Sequence, residues 1–306
     1  MIEAEALTKR YGARTAVDGL TFTVRPGLVT GFLGPNGAGK STTMRLILGL
    51  DAPTSGRVTV RGRRYADHPA PLAELGSLLE AKAVHTGRSA AKHLLALAHT
   101  HRIPRRRVAE VVEMVGLAEV AGKRVGGFSL GMGQRLGLAA ALLGDPAVVM
   151  LDEPVNGLDP EGVRWIRGLL RGLAAEGRTV FLSSHLMSEM AQTADHLVII
   201  GQGRLLADTG VPELLRAAGV GTLRVVTPEA ARLRRLLAGP DVTIAGPAPD
   251  TLEITGLDAP RVGLTAAEHG IPLFELTPGQ TSLEDAYLDL TRDTVEYQTS
   301  TGGGAR

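Results

Sequence analysis

The stretch GFLGPNGAGKST, residues 31–42, places four glycines and one proline in twelve positions and ends on a lysine and two hydroxyls. Glycines without a Cβ let backbone N–H groups converge on an anion, and a helix that starts at the lysine adds its positive end. The spacing fits G-x-x-x-x-G-K-[ST], with Gly34, Gly39, Lys40 and Ser41 at the fixed places. Pro35, Asn36, Gly37, Ala38 and Thr42 complete the cradle. Lys40 is expected to reach the terminal phosphates of a nucleoside triphosphate, and Ser41 to offer its hydroxyl to Mg²⁺. Far downstream, VVMLDEP (148–154) ends an apolar run in two carboxylates. Asp152 can accept Mg²⁺ or its bound water, and Glu153 stands where a general base can polarise an attacking water.

These groups need a scaffold that aims them at one point. LVTGFL (28–33) reads as a buried strand and STTMRLILGL (41–50) as an apolar helix, the strand–loop–helix context that the phosphate loop requires. Further strands are expected at 2–7, 20–24, 148–151, 180–182 and 197–200, alternating with helices as in a mostly parallel α/β sheet. Between 85 and 143 the pattern is helical instead: SAAKHLLALAHTHR, RRRVAEVVEMVGL and GQRLGLAAALL have amphipathic or buried-helix spacing, as an inserted helical subdomain would. From about 219 to 291 the order reads β-α-β-β-α-β, a split βαβ arrangement. A closing helix follows, in which Ser282 caps and Asp285 answers three residues on. The first domain is therefore set at 1–218, a small α+β accessory domain at 219–291, and a disordered tail at 292–306.

Composition limits what such a chain can do. With 306 residues and 44% hydrophobic content it can bury one large core and one small one. Lysine and arginine (33) nearly balance aspartate and glutamate (32), so no global field is available to hold nucleic acid. The absence of cysteine removes disulfides, thiolate metal sites and thiol catalysis, and fits a reducing compartment. The opening residues MIEAEALTKR have no apolar stretch of the signal-peptide kind. No run approaches the roughly 18 apolar residues of a membrane helix, so any membrane connection is expected through a partner chain.

GGFSLGMGQRLGLA (126–139) resembles the LSGGQ motif of ATP-binding-cassette (ABC) ATPases, with Ser129 and Gly131 on the motif's serine and second glycine. The other cassette motifs occur in the family's order. Tyr11 matches the aromatic that stacks on adenine, NGLD (156–159) resembles the D-loop with Asp159 aligning the opposite site, and His185 falls where the switch histidine contacts the γ-phosphate. The resemblance covers residues 1–218 and implies a P-loop ABC ATPase head that binds ATP and Mg²⁺. Two such heads would close on two ATPs, as a homodimer. It also implies a separately encoded transmembrane permease docked on the helical region, and a peripheral position on the cytoplasmic face of the membrane. YGARTAVDGL, FSLGMGQRLGLA and the ending SLEDAYLDLT look most like exporters of the daunorubicin-resistance type, which handle drugs, antibiotics or other hydrophobic compounds. The alternative is a soluble ABC ATPase acting on ribosomes or DNA. Against it stand the single cassette and the lack of sustained heptads.

There are departures from the family's pattern. Glu80 stands where a glutamine is usual, and is expected to be an Mg²⁺-side ligand that accepts but cannot donate. Leu130 and Met132 replace a glycine and a glutamine of the LSGGQ motif. His93, His99 and His101 lie on a helical stretch with no acid at ligand spacing, and a packing or solvated role is expected for them. Arg105, Arg106 and Arg107 are expected on a solvated face, and Trp165 in the core.

Overall fold

The computed structural model describes residues 1–80, 84–217, 222–279 and 282–291. The expected tail at 292–306 lies outside the described residues. Two compact units emerge, Met1–Gly210 and Val211–Leu290.

The first unit opens with β1 (Ile2–Tyr11), β2 (Arg14–Val24), β3 (Val29–Leu33), α1 (Lys40–Ile47), β4 (Ser55–Val60), α2 (Pro71–Glu74) and β5 (Leu75–Leu78). Three helices follow, α3 (Ala90–Thr100), α4 (Arg105–Met114) and α5 (Leu130–Leu142). It closes with β6 (Val148–Leu151), α6 (Pro160–Ala175), β7 (Thr179–Ser183), α7 (Met187–Thr193), β8 (His196–Gly201) and β9 (Arg204–Gly210). A six-stranded sheet in the order β5-β6-β7-β3-β8-β9 forms its centre. All neighbours in it are parallel except β8 and β9. Strands β3, β6 and β7 are buried along their whole length, which is why they read as short, largely apolar stretches rather than alternating ones.

Strands β1 and β2, expected in the parallel sheet, instead form a separate antiparallel sheet in the order β2-β1-β4. They are joined by the tight turn Gly12–Ala13, too short for the crossover that parallel strands need. One core binds the two sheets, with Ile2, Leu7, Leu20 and Phe22 of the outer sheet against Phe32, Met150, Phe181 and Val198 of the inner. The rings of Phe22, Phe32 and Phe181 lie 5.0–6.0 Å apart, the spacing of favourable aromatic contacts.

The strand order decides where chemistry can occur. β6, β7 and β3 are consecutive and parallel, so their C-terminal ends open on the same edge. The residues leaving those ends are Asp152 and Glu153, then Ser184 and His185, then Gly34 and the phosphate loop. Crevices at this edge of a parallel sheet are where ligands bind.

The second unit contains α8 (Val211–Ala217), β10 (Leu223–Val226), α9 (Ala230–Leu237), β11 (Thr243–Ala248), β12 (Thr251–Thr255), α10 (Ala259–Glu268), β13 (Glu275–Pro278) and α11 (Leu283–Thr291). Its sheet is wholly antiparallel in the order β11-β12-β10-β13, and α9 and α10 each connect strands that are not neighbours. Leu223, Val225, Leu252 and Ile254 of the sheet pack with Leu233 of α9 and Val262 of α10 in a core of their own. Ser282 and Asp285 form the reciprocal cap at the start of α11: Asp285 N–H donates to Ser282 Oγ at 3.1 Å, and Ser282 N–H to Asp285 Oδ2 at 3.2 Å.

Candidate functional site

The phosphate loop leaves β3 through glycines that nothing larger can replace. A Cβ on Gly34 would lie 2.5 Å from the Ile200 carbonyl oxygen, and Gly39, at φ 102°, would drive one into the Ala16 carbonyl. Gly39 is also the N-cap of α1 and supplies no side-chain bond to it. The first N–H groups of α1 are thus turned toward the loop without a side-chain acceptor. Lys40 extends back across the loop, and among the described residues its ammonium bonds carbonyls, Gly34 O at 2.5 Å and Pro35 O at 3.3 Å. Burial lowers its pKa, an effect that Glu153 and Asp152 partly oppose. A half-buried cation with neutral partners beside bare helix N–H groups is a fit for an anion carrying several oxygens.

A pocket of about 480 Å³ is lined by Tyr11, Arg14, Ala16, residues 35–42, Asp152 and Glu153. It therefore joins the expected residues Pro35, Asn36, Gly37, Ala38, Gly39, Lys40, Ser41 and Thr42 to both carboxylates. Ser41 Oγ donates to Asp152 Oδ2 at 3.3 Å. Hydroxyl and carboxylate oxygens side by side are hard donors of the kind that Mg²⁺ takes alongside phosphate. Ser183, which no motif pointed to, fixes both acids: its hydroxyl donates to Asp152 Oδ1 and accepts from the Glu153 N–H at 3.1 Å. Glu153 itself has φ 49°, in the left-handed region. Its carboxylate reaches His185, Oε2 to Nδ1 2.8 Å, with side-chain exposures of 24% and 58%. The acid is thus sheltered while the histidine faces outward.

Glu80 does not line this pocket. It is exposed on a neighbouring cleft of about 620 Å³, shared with Ser41, Asp152, Arg45 and His93. Ser129, Gly131 and Asp159 do not line the nucleotide pocket either. Ser129 caps α5 by accepting from the Met132 N–H at 3.2 Å. Asp159 caps α6 by accepting from the Gly162 N–H at 2.8 Å. The two motifs share one patch, since Leu130 packs on Gly157 and a Cβ on Gly131 would lie 3.1 Å from the Gly157 carbonyl oxygen. Gln134, buried on α5, ties that patch to the acids by donating from Nε2 to the Glu153 carbonyl at 3.1 Å.

The residues set aside on sequence grounds are held structurally. His99 and His101 ring nitrogens meet the Leu95 and Leu97 carbonyls at 2.7 and 3.2 Å. Trp165 is half-buried under the Arg135 guanidinium, 4.5 Å from its centroid. Arg107 departs from expectation. Rather than facing solvent, it donates to the Leu142 and Leu143 carbonyls at the end of α5 and pairs with Asp145 at 3.2 Å.

Comparison with known proteins agrees with this geometry. The profile of the ABC transporter family matches residues 17–156, and that of a domain of unknown function, DUF8746, matches residues 221–284. The bacitracin transport ATP-binding protein BcrA of Bacillus licheniformis is 44% identical over 211 residues, covering 68% of this chain and 69% of its own. The daunorubicin resistance ATP-binding protein DrrA2 of Streptomyces coeruleorubidus is 34% identical over 311 residues, 96% of each chain. Among solved structures, an ATP-binding subunit of an ABC transporter superposes with TM-score 0.65 at 27% identity, covering 71% of this chain and 92% of that one. A dimeric bacterial ABC transporter cassette shares the fold, with TM-score 0.63 at 24% identity over 69% of this chain and 99% of that one.

Proposed function

The chain belongs to the ABC transporter family as its ATP-hydrolysing subunit, and from that premise we propose that it powers export of a drug, antibiotic or other hydrophobic compound through a separately encoded permease. The observation that carries the export reading is the end-to-end match to the daunorubicin resistance relative, which extends through the small second unit. Relatives named for bacitracin and lantibiotic transport support the same substrate class. None of the described helices is long and apolar enough to cross a membrane; in the proposed transporter the permease provides the passage, and this subunit acts on its cytoplasmic face.

The residues divide the work as follows. The glycines of the phosphate loop, the N–H groups of α1 and Lys40 bind the triphosphate, and Tyr11 at the pocket mouth stacks on the base. Ser41 and Asp152 hold Mg²⁺, which when bound neutralises charge on the phosphate oxygens. Glu153 accepts a proton from the attacking water, and His185 orients that carboxylate through the 2.8 Å contact. Ser183 keeps the two acids in fixed relation, so that one serves the metal while the other serves water. Ser129, Gly131 and Asp159, remote from their own chain's pocket, complete the pocket of a second copy when two heads close on ATP.

The test is ATP-dependent dimerisation. Glu153→Gln is expected to bind ATP, to lose turnover by roughly 10²-fold or more, and to elute as a dimer with Mg-free ATP. Adding Ser129→Arg is expected to return it to a monomer that still binds ATP. A dimer indifferent to Ser129→Arg would overturn the role given to the α5 cap. An adjacent reading frame with several membrane helices would identify the permease, and its absence would count against export.

A further inference from the structure

A tyrosine ring at the last residue of β1, beside the tight turn into β2, has little by itself to keep it still. Tyr11 is 48% exposed, and a side chain left free at such a position loses rotamer entropy when a ligand orders it. Here the ordering is already done. Its hydroxyl donates to Asp51 Oδ2 at 3.0 Å. The Lys9 ammonium stands 4.9 Å from the ring centroid and donates to the Ala52 carbonyl at 2.7 Å. Both contacts end on the same short loop after α1, so ring and loop move together.

That loop is in turn fixed to the phosphate site. Arg45, in the last turn of α1, donates from Nε to Asp51 Oδ2 at 2.7 Å and from Nη2 to Oδ1 at 3.4 Å. Lys40 is the first residue of the same helix. The arginine's hydrogen bond, with a smaller one from Tyr11, holds the Asp51 carboxyl below its ordinary range, so it is an acceptor throughout the neutral range. The side chain of Asp51 is 19% exposed, sheltered enough for the two bonds to hold geometry.

We propose that Asp51, clamped by Arg45, is a positioning residue that presets the Tyr11 ring for base stacking and sets how strongly the site prefers ATP over a bare triphosphate. The proposal rests on the reading of Tyr11 as the base platform. Asp51 does not line the nucleotide pocket; it acts through the ring, by holding platform and phosphate loop in one frame.

The experiment uses the full chain carrying Glu153→Gln, so that binding is read without turnover, and titrates ATP and inorganic tripolyphosphate calorimetrically. Tyr11→Phe keeps the ring and loses the hydroxyl with its bond to Asp51 and its contact with Thr42, and Asp51→Ala removes the anchor alone. Each is expected to weaken ATP by roughly threefold to tenfold while leaving tripolyphosphate within about twofold. The double variant Tyr11→Phe/Asp51→Ala should be no weaker than the worse single variant, because both remove one tether. Equal loss of both ligands in Asp51→Ala, together with an unaltered Tyr11→Phe, would overturn the proposal and leave Asp51 a staple of α1. Tyr11→Ala separates the premise from the proposal. If it leaves the preference for ATP over tripolyphosphate intact, the platform reading itself fails. If it abolishes that preference while Tyr11→Phe and Asp51→Ala do not alter it, only the positioning role is lost.

Discussion

Lys40 shows how a single side chain carries opposite signs for folding and for binding. Burial lowers its pKa from the ordinary 10.5, so across the window just below that value the unfolded chain binds the proton more tightly than the folded one. Stability of the nucleotide-free protein should therefore rise with pH in that window. Affinity for ATP should fall, because the form that holds phosphate is the ammonium. Titrations of unfolding and of ATP binding in the alkaline range check both slopes, and Lys40→Met should flatten both. Glu80, unlike Lys40, departs from the family's pattern. It faces the cleft shared with Ser41 and Asp152, where a carboxylate accepts as an amide oxygen does. Glu80→Gln is expected to change steady-state turnover by less than about tenfold, a barrier change under roughly 1.4 kcal/mol. A rise well beyond that would identify Glu80 as a brake.

Elements were legible where burial or capping left a pattern in the chain, and illegible where partners decided. The largely apolar stretches of β3, β6 and β7 and the Ser282/Asp285 cap of α11 were read from residues alone. Strand β9 was missed because its side chains, apolar only at Leu205, Leu206 and Ala207, are half-exposed or exposed along an antiparallel edge and show no alternation. Its signal was the two-residue turn Gln202–Gly203, with φ 49° and 80°, which closes a hairpin on β8. Strand β5, only four residues long, carries Gly76 because α5 packs its Ala141 carbonyl there. Nothing within β5 announces that. The phosphate loop and the acids after β6 were legible, whereas Ser183, Gln134 and Asp51 were not, since each acts through a contact more than fifteen residues away along the chain. Arg107 belongs to this class. Its bonds to the end of α5 should make Arg107→Ala cost roughly 1–3 kcal/mol in urea unfolding, against about 0.5 kcal/mol or less for the exposed Arg105→Ala. Equal costs would return Arg107 to a solvated face.

At the scale of the molecule, two cores that share no residue predict two responses to heat. Calorimetry of the full chain should depart from a single two-state transition, and ATP at about 100 times its dissociation constant should raise only the transition of the first unit, by roughly 2.7 kcal/mol of stabilisation. A single transition that shifts whole would show the units to unfold together. The left-handed backbone of Glu153 has its own bearing on that stability. A side chain there costs roughly 1 kcal/mol or more that glycine would not incur. Relief of that backbone cost should let Glu153→Gly melt at least as high as the native chain despite the lost His185 contact, while turnover falls by roughly 10²-fold or more, so at this position thermal robustness and turnover pull apart.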